Sequence, residues 1–182
     1  MKRRMDIAGL AMDPVTQSPV MILRDPETKM GVPIWIGPFE ADSIRMVLEN
    51  QPPPRPITHD LFVDAMNRLN ARVTRVEISD LRENTYYAKI ILESGGREVE
   101  LDSRPSDAVS LALRFDAPVY MSQKVFEAAR IPLTDEDERA EAEETADGEA
   151  ASENVKFDES NKDKWAEILE KLKPEDLSKY KM

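Results

Sequence analysis

The 182-residue sequence predicts an α+β fold: two related β-β-β-α repeats on a mostly antiparallel sheet, plus a linking helix and a C-terminal helix. Three observations carry this. Runs of alternating apolar and polar residues are separated by short turn signals, so neighbouring strands pair antiparallel, without the long crossover that a parallel pair needs. The third run of each half leads into a Pro-initiated helix, at GPFEADSIRMVL and at SRPSDAVSLALR. A constant offset of 67 residues then lays Asp13 on Asp80, Pro38 on Pro105, Glu40 on Asp107, Ala41 on Ala108, Ser43 on Ser110 and Ile44 on Leu111.

The first repeat, about residues 4–50, reads as strands near 4–12 and 19–24, a turn at Asp25-Pro26, a third strand from Val32 to Ile36, and a helix. In the second, about 71–115, strands fall near 72–80 and 85–93, and Gly95-Gly96 opens a third from Glu98 to Asp102. In that third strand Glu98, Glu100 and Asp102 point to one face and Val99 and Leu101 to the other. Ser103, Pro105 and Ser106 have helix-start chemistry, the serines as caps. Between the repeats a Pro-rich connector leads to a helix starting near Thr58.

Charge divides the chain into three parts. Residues 1–134 carry 17 basic and 19 acidic side chains, and form the folded domain. Residues 135–153 carry 1 and 10, with no aromatic or branched aliphatic side chain to bury; an acidic disordered linker over 135–158 is expected. Residues 159–182 hold a short amphipathic helix with Trp165, Ile168, Leu169 and Leu172 on one stripe, ended by Pro174 and free to dock on its own domain or on a partner.

The function classes narrow by exclusion. No apolar run approaches the roughly 18 residues of a membrane helix, and the start MKRRMDIAGLAMDP reads as no signal peptide, so a cytoplasmic protein without membrane partners is expected. With no cysteine, a metal would rest on oxygen ligands and the single histidine, favouring magnesium or manganese; no organic cofactor is expected. P-loop, dinucleotide-binding, HExxH and helix-turn-helix signatures are absent. Arg68, Arg72 and Arg75 could form a basic patch on an otherwise slightly acidic domain.

Candidate chemistry gathers at helix starts. Glu40 and Asp107, at equivalent places in the two repeats, could meet as paired carboxylates and ligate a divalent ion, or could simply complement the helix dipoles. His59, the only histidine, and Asp60 follow Thr58; His59 is either structural or the group that does acid and base work near neutrality. Arg104 could grip a phosphate or pair with Asp102. Ser103 and Ser106 lack a neighbouring base and are no nucleophiles.

Four ordered motifs, PIWIGPFEADSI (33–44), RPITHDL (55–61), DL with TYYAKIIL (80–92) and DSRPSDAVSLALR (102–114), make the chain resemble the bifunctional nuclease, or BFN, domain family over roughly residues 5–130. The resemblance implies a self-associating α+β domain and, as for some plant members, cleavage of both RNA and DNA. It carries over Glu40, His59, Asp60, Asp102, Arg104, Ser106 and Asp107: His59, Asp60, Asp102 and Asp107 as catalytic, Arg104 and Ser106 as substrate-binding, Glu40 and Asp107 as metal ligands. Plant relatives often append a UVR-type motif, which this chain lacks, so partners of that motif do not carry over. Two readings follow: a metal-assisted phosphodiesterase, or a non-catalytic oligomeric binding or regulatory module. A homodimer is expected, since few helices are available to cover the sheet.

Overall fold

The alternating runs become strands β1 (Lys2–Met12), β2 (Pro19–Asp25) and β3 (Met30–Trp35), followed by helix α1 (Pro38–Leu48). After the connector and helix α2 (Thr58–Arg68), the same order recurs as β4 (Ala71–Arg82), β5 (Thr85–Ser94), β6 (Arg97–Ser103) and α3 (Pro105–Phe115). Strand β7 (Val119–Ser122), helix α4 (Gln123–Ala129) and the short β8 (Ile131–Pro132) complete the fold. This computed structural model describes residues 1–133; the expected acidic linker and amphipathic C-terminal helix lie outside the described residues.

All eight strands join one sheet in the order β6-β5-β4-β7-β1-β2-β3-β8. Every pairing is antiparallel except β4 with β7, where Val76, Glu77 and Ile78 run parallel to Val119, Tyr120 and Met121. Sequence patterning missed β7, α4 and β8, and β7 is what makes the sheet continuous. Four residues are too few for a periodic signal, yet β7 fills the gap between the two meanders, with β4 on one side and β1 on the other.

The tight hairpins follow from their turn residues. Gly95 and Gly96 both sit at positive φ (58° and 73°), the two-residue geometry that matches strand twist and suits glycine. Tyr86 on β5 donates its hydroxyl to the Pro33 carbonyl on β3 at 3.3 Å, although four strands separate β5 from β3. At about 4.8 Å per strand a flat sheet would hold them some 24 Å apart, so the sheet is strongly coiled.

One face of the sheet carries the main core. Met21, Leu23, Val32 and Ile34 from the first meander and Val76, Ile78, Ala88 and Ile90 from the second pack with Ile44, Val109, Leu111 and Phe126 from the helices. The other face holds a smaller cluster in the first half, where Leu133 and Ile131 cover Ala11, Val20 and Ile22. In the second half that face carries ions: Arg75 holds Glu98 through two nitrogens (2.8 and 3.0 Å) and Glu77 through Nε (2.9 Å), and Lys2 also reaches Glu77.

On β6, the sheet's outermost strand, Val99 is 43% exposed. One local expectation needs correction. Ser103 and Ser106 do not cap α3: Arg104 is the N-cap residue, without a side-chain cap, and Ser103 Oγ donates to the Arg104 carbonyl at 3.0 Å. Pro105 at N1 removes one of the N–H groups that a cap would serve. Among the described residues no helix is long and apolar enough to cross a membrane.

Candidate functional site

Helices α1, α2 and α3 each place a carboxylate in their first turn, Glu40, Asp60 and Asp107. That position alone favours acidic residues, which complement the dipole. Asp60 also does local work, since its Oδ2 accepts the N–H of Ile57, the N-cap residue of α2, at 3.0 Å. Glu40 folds back over Gly37, where a Cβ would collide with its carboxylate, so the missing side chain makes the room.

The three helix starts are tied into one cluster. Arg104 forks onto Asp107, with Nε 2.7 Å from Oδ2 and Nη2 3.0 Å from Oδ1, and its Nη1 lies 2.9 Å from Glu40 Oε1. Asp107 Oδ1 is also 3.2 Å from His59 Nε2. The other ring nitrogen, Nδ1, lies 2.9 Å from Ser43 Oγ, which in turn is 2.8 Å from Ser110 Oγ. Arg114 closes the chain: Nη1 donates to Ser110 Oγ (2.8 Å), to the Ser110 carbonyl (3.0 Å) and to the Ser43 carbonyl (3.3 Å), while Nε donates to Asp60 Oδ1 (2.7 Å).

Exposure is graded along this chain of contacts. The Arg104 side chain is 64% exposed, Asp107 29% and His59 17%, whereas Arg114 keeps 7%. Ser43 and Ser110 are buried. A ligand can therefore meet Arg104, Asp107 and the exposed part of the His59 ring, but not the hydroxyls. Ser43 stands in hydrogen-bond reach of a histidine, yet its burial excludes attack on a polymer.

Electrostatics bind the cluster together. Burial pushes the Asp107 carboxyl up, but the hydrogen bond and charge of Arg104, with those of His59, outweigh it and hold the group below the usual carboxylate range. Asp60 is likewise raised by burial and lowered further by its hydrogen bonds from Arg114 and the Ile57 N–H. The hydrogen bond to Asp107 raises the Arg104 guanidinium in turn.

The structure thus brings together Glu40, His59, Asp60, Arg104 and Asp107. It does not bring Asp102 or Ser106 to them. Asp102 is exposed on β6, in register with Lys89, and Ser106 is buried in the first turn of α3 outside these hydrogen bonds. Arg104 pairs with Asp107 and Glu40 rather than with Asp102, because as the N-cap residue it points along the helix start. Glu40 and Asp107 do converge, and the guanidinium of Arg104 pairs with both of them. Among the described residues no group of three or more His, Asp or Glu side chains is placed to hold a metal ion.

Arg68, Arg72 and Arg75 form no free basic patch. They are matched with Asp64, with Glu93, and with Glu77 and Glu98. Sequence reasoning missed Arg114 and the role of the two serines. The signal was present in part: the 67-residue offset paired Ser43 with Ser110 as small polar residues on otherwise apolar helix faces, and Arg114 lies one helical turn after Ser110.

The family described as bifunctional nuclease domain matches residues 21–134. An uncharacterized protein of Mycobacterium tuberculosis (strain ATCC 25618 / H37Rv) is 34% identical over 171 residues, covering 94% of this chain and 95% of the relative. Bifunctional nuclease 1 of Oryza sativa subsp. japonica and the bifunctional nuclease of Oryza minuta are each 29% identical over 92 residues, 48% of this chain and 28% of each plant protein. On the domain match and the near full-length mycobacterial relative, the chain belongs to the bifunctional nuclease domain family.

Proposed function

We propose that this chain hydrolyses phosphodiester bonds of RNA and DNA at the cluster of Glu40, His59, Arg104 and Asp107. The observation that carries the reading is the exposed Arg104 guanidinium, forked on Asp107 beside the only histidine, where three helix N-termini meet. Positive helix ends and a guanidinium suit a phosphate, and an anion there would gain charge-assisted hydrogen bonds. In this reading Arg104 steadies a non-bridging phosphate oxygen. Glu40 and Asp107 orient and polarise the attacking water, and His59 acts through Nε2 beside Asp107. Asp60 serves the site indirectly, by holding Arg114. Asp102 and Ser106 take no part. Magnesium or manganese would have to displace Arg104 from Glu40 and Asp107, so no step here runs through an ion.

The test is hydrolysis of labelled single-stranded RNA and DNA by the full chain, with magnesium, manganese or chelator, beside Asp107→Asn and Arg104→Gln. The expected loss in each variant is at least about 100-fold, the usual worth of a positioned proton-transfer or charge-stabilising group. Equal cleavage by the natural sequence and Asp107→Asn overturns the assignment.

A second reading, a self-associating binding module, has its own observation. Phe39, Leu61, Phe62 and Leu69 are 84%, 62%, 39% and 73% exposed on and beside α1 and α2. Apolar surface of this kind marks an interface. In this reading the chain is a homodimer, and the polar cluster is a strut between helices.

A further inference from the structure

We propose that Arg114 fixes the tautomer of His59 across two intervening hydroxyls, so that the imidazole carries its proton on Nε2 and offers the site a donor. The argument is a count of protons. Arginine donates and cannot accept. Arg114 Nη1 therefore donates to Ser110 Oγ, and among the described residues the one other partner of that hydroxyl is Ser43 Oγ. Ser110 is fully buried, so its own proton has no water to turn to and must go to Ser43. Ser43 Oγ, having accepted that hydrogen bond, has its own hydrogen to donate and, among the described residues, one partner left, His59 Nδ1 at 2.9 Å. His59 Nδ1 accepts, and the neutral ring holds its hydrogen on Nε2, facing Asp107 Oδ1 at 3.2 Å. The reverse direction would leave the Ser110 hydrogen buried, unpaired and aimed among guanidinium donors, at a cost of about 1–3 kcal/mol.

The order of donors thus runs one way, from Arg114 through α3 and α1 to the ring on α2. Asp60 anchors its origin, since it holds Arg114 Nε at 2.7 Å. Arg114 touches no ligand-facing atom, and it is a positioning residue. The consequence for hydrolysis rests on the nuclease reading above: with Nδ1 occupied and Nε2 protonated, neutral His59 has no free lone pair. Base work then falls to Glu40 or Asp107, and His59 polarises by donating.

His59 is the only histidine in the chain, so full-length, tag-free protein labelled with 15N-histidine shows a single ring. Nitrogen shifts and ring proton couplings, read at a pH high enough for a neutral imidazole, report which nitrogen bears the proton. The natural sequence alone does not separate the hydroxyl chain from Asp107, whose carboxylate also prefers Nε2–H. Asp107→Asn does, because an amide can accept from Nε2–H or donate to a bare Nε2. The expected result is Nε2–H in both the natural sequence and Asp107→Asn, and a mixture of tautomers in Asp107→Asn/Ser110→Ala and in Asp107→Asn/Arg114→Met. Should Arg114→Met fail to fold, the Ser110→Ala pair decides alone. Nδ1–H in Asp107→Asn, or no difference between it and its Ser110→Ala double, overturns the proposal. Hydrolysis by the same samples reads the nuclease assignment separately: an inactive natural sequence sinks that assignment, while the tautomers of Asp107→Asn and its Ser110→Ala double still decide this one.

Discussion

Ser43 Oγ and Ser110 Oγ lie 2.8 Å apart, each on a buried helix face and 67 residues apart in the chain. Positions that the sequence offset superimposes are also positions that touch. Small side chains let α1 and α3 approach closely, and their hydroxyls satisfy each other where an apolar pair would leave Arg114 without an acceptor.

Ser43→Ala and Ser110→Ala should each lower stability by about 1–3 kcal/mol, because each leaves a buried polar neighbour unpaired. The double substitution should cost less than the two singles together, with a coupling of at least about 0.5 kcal/mol, since the second removal strands fewer groups. Urea unfolding of the four proteins checks it, and strict additivity would show that the hydroxyls do not form one network.

How much of this was legible in the sequence depends on how each feature is encoded. Strands of six to twelve residues and helices with clear start signals declare themselves by period and by turn chemistry, and β1 to β6 with α1 to α3 fall where these signals put them. The four-residue β7 is encoded only by tertiary demand, the need to join β4 to β1. In the candidate site, Glu40 and Asp107 were legible as equivalents, but the cation between them was not. Arg104 had two acidic neighbours in sequence, Asp102 and Asp107, and only the helix geometry chooses the one three residues on. Arg114 was hidden for the opposite reason: a cation in a last helical turn is ordinary, and its burial depends on the approach of α1 and α2.

Arg114→Met should be among the most disruptive single changes in the cluster. It strands Asp60, the Ser43 carbonyl and the Ser110 hydroxyl, and removing one partner of a largely buried ion pair costs about 3 kcal/mol or more. Arg114→Lys should recover less than half of that, because an ammonium cannot place donors on both sides as a guanidinium does. Thermal and urea melts of both variants measure it; a lysine variant as stable as the natural protein would mean that charge alone matters.

Arg104→Gln should separate function from folding. The side chain is 64% exposed, so its pairs with Glu40 and Asp107 should be worth no more than about 1 kcal/mol to stability. Affinity for a labelled oligonucleotide should nevertheless fall at least about tenfold if this guanidinium meets the phosphate. Unchanged binding with an unchanged melt would take Arg104 out of the site.

Acid should unfold the protein partly through this cluster. Asp60 and Asp107 both hold their protons more weakly in the folded chain than an ordinary carboxyl does. The unfolded state therefore binds more protons as pH falls, so the stabilisation is complete above the usual carboxylate value of about 4 and is lost as pH drops through the depressed folded values. Asp60→Asn and Asp107→Asn should each flatten the fall of urea stability between about pH 5 and pH 2. A slope unchanged in both variants would show that other carboxylates carry the acid sensitivity.

Self-association should depend on the surface of α2. Only Met66 of that helix is buried, while Leu61, Phe62 and Leu69 fall on and beside one stripe and remain exposed, with Phe39 of α1 exposed as well. Covering a large apolar side chain yields about 1.5–3 kcal/mol, so three or four of them can hold a dimer at micromolar concentration even after the entropy of association is subtracted. Light scattering on the natural sequence should give twice the chain mass, and Leu61→Glu or Phe39→Glu should shift it toward the monomer without lowering the melting temperature, since neither side chain supports the core. A monomeric natural protein removes this interface. A dimer indifferent to both substitutions moves it elsewhere, with the exposed edge of β6 the next surface to substitute.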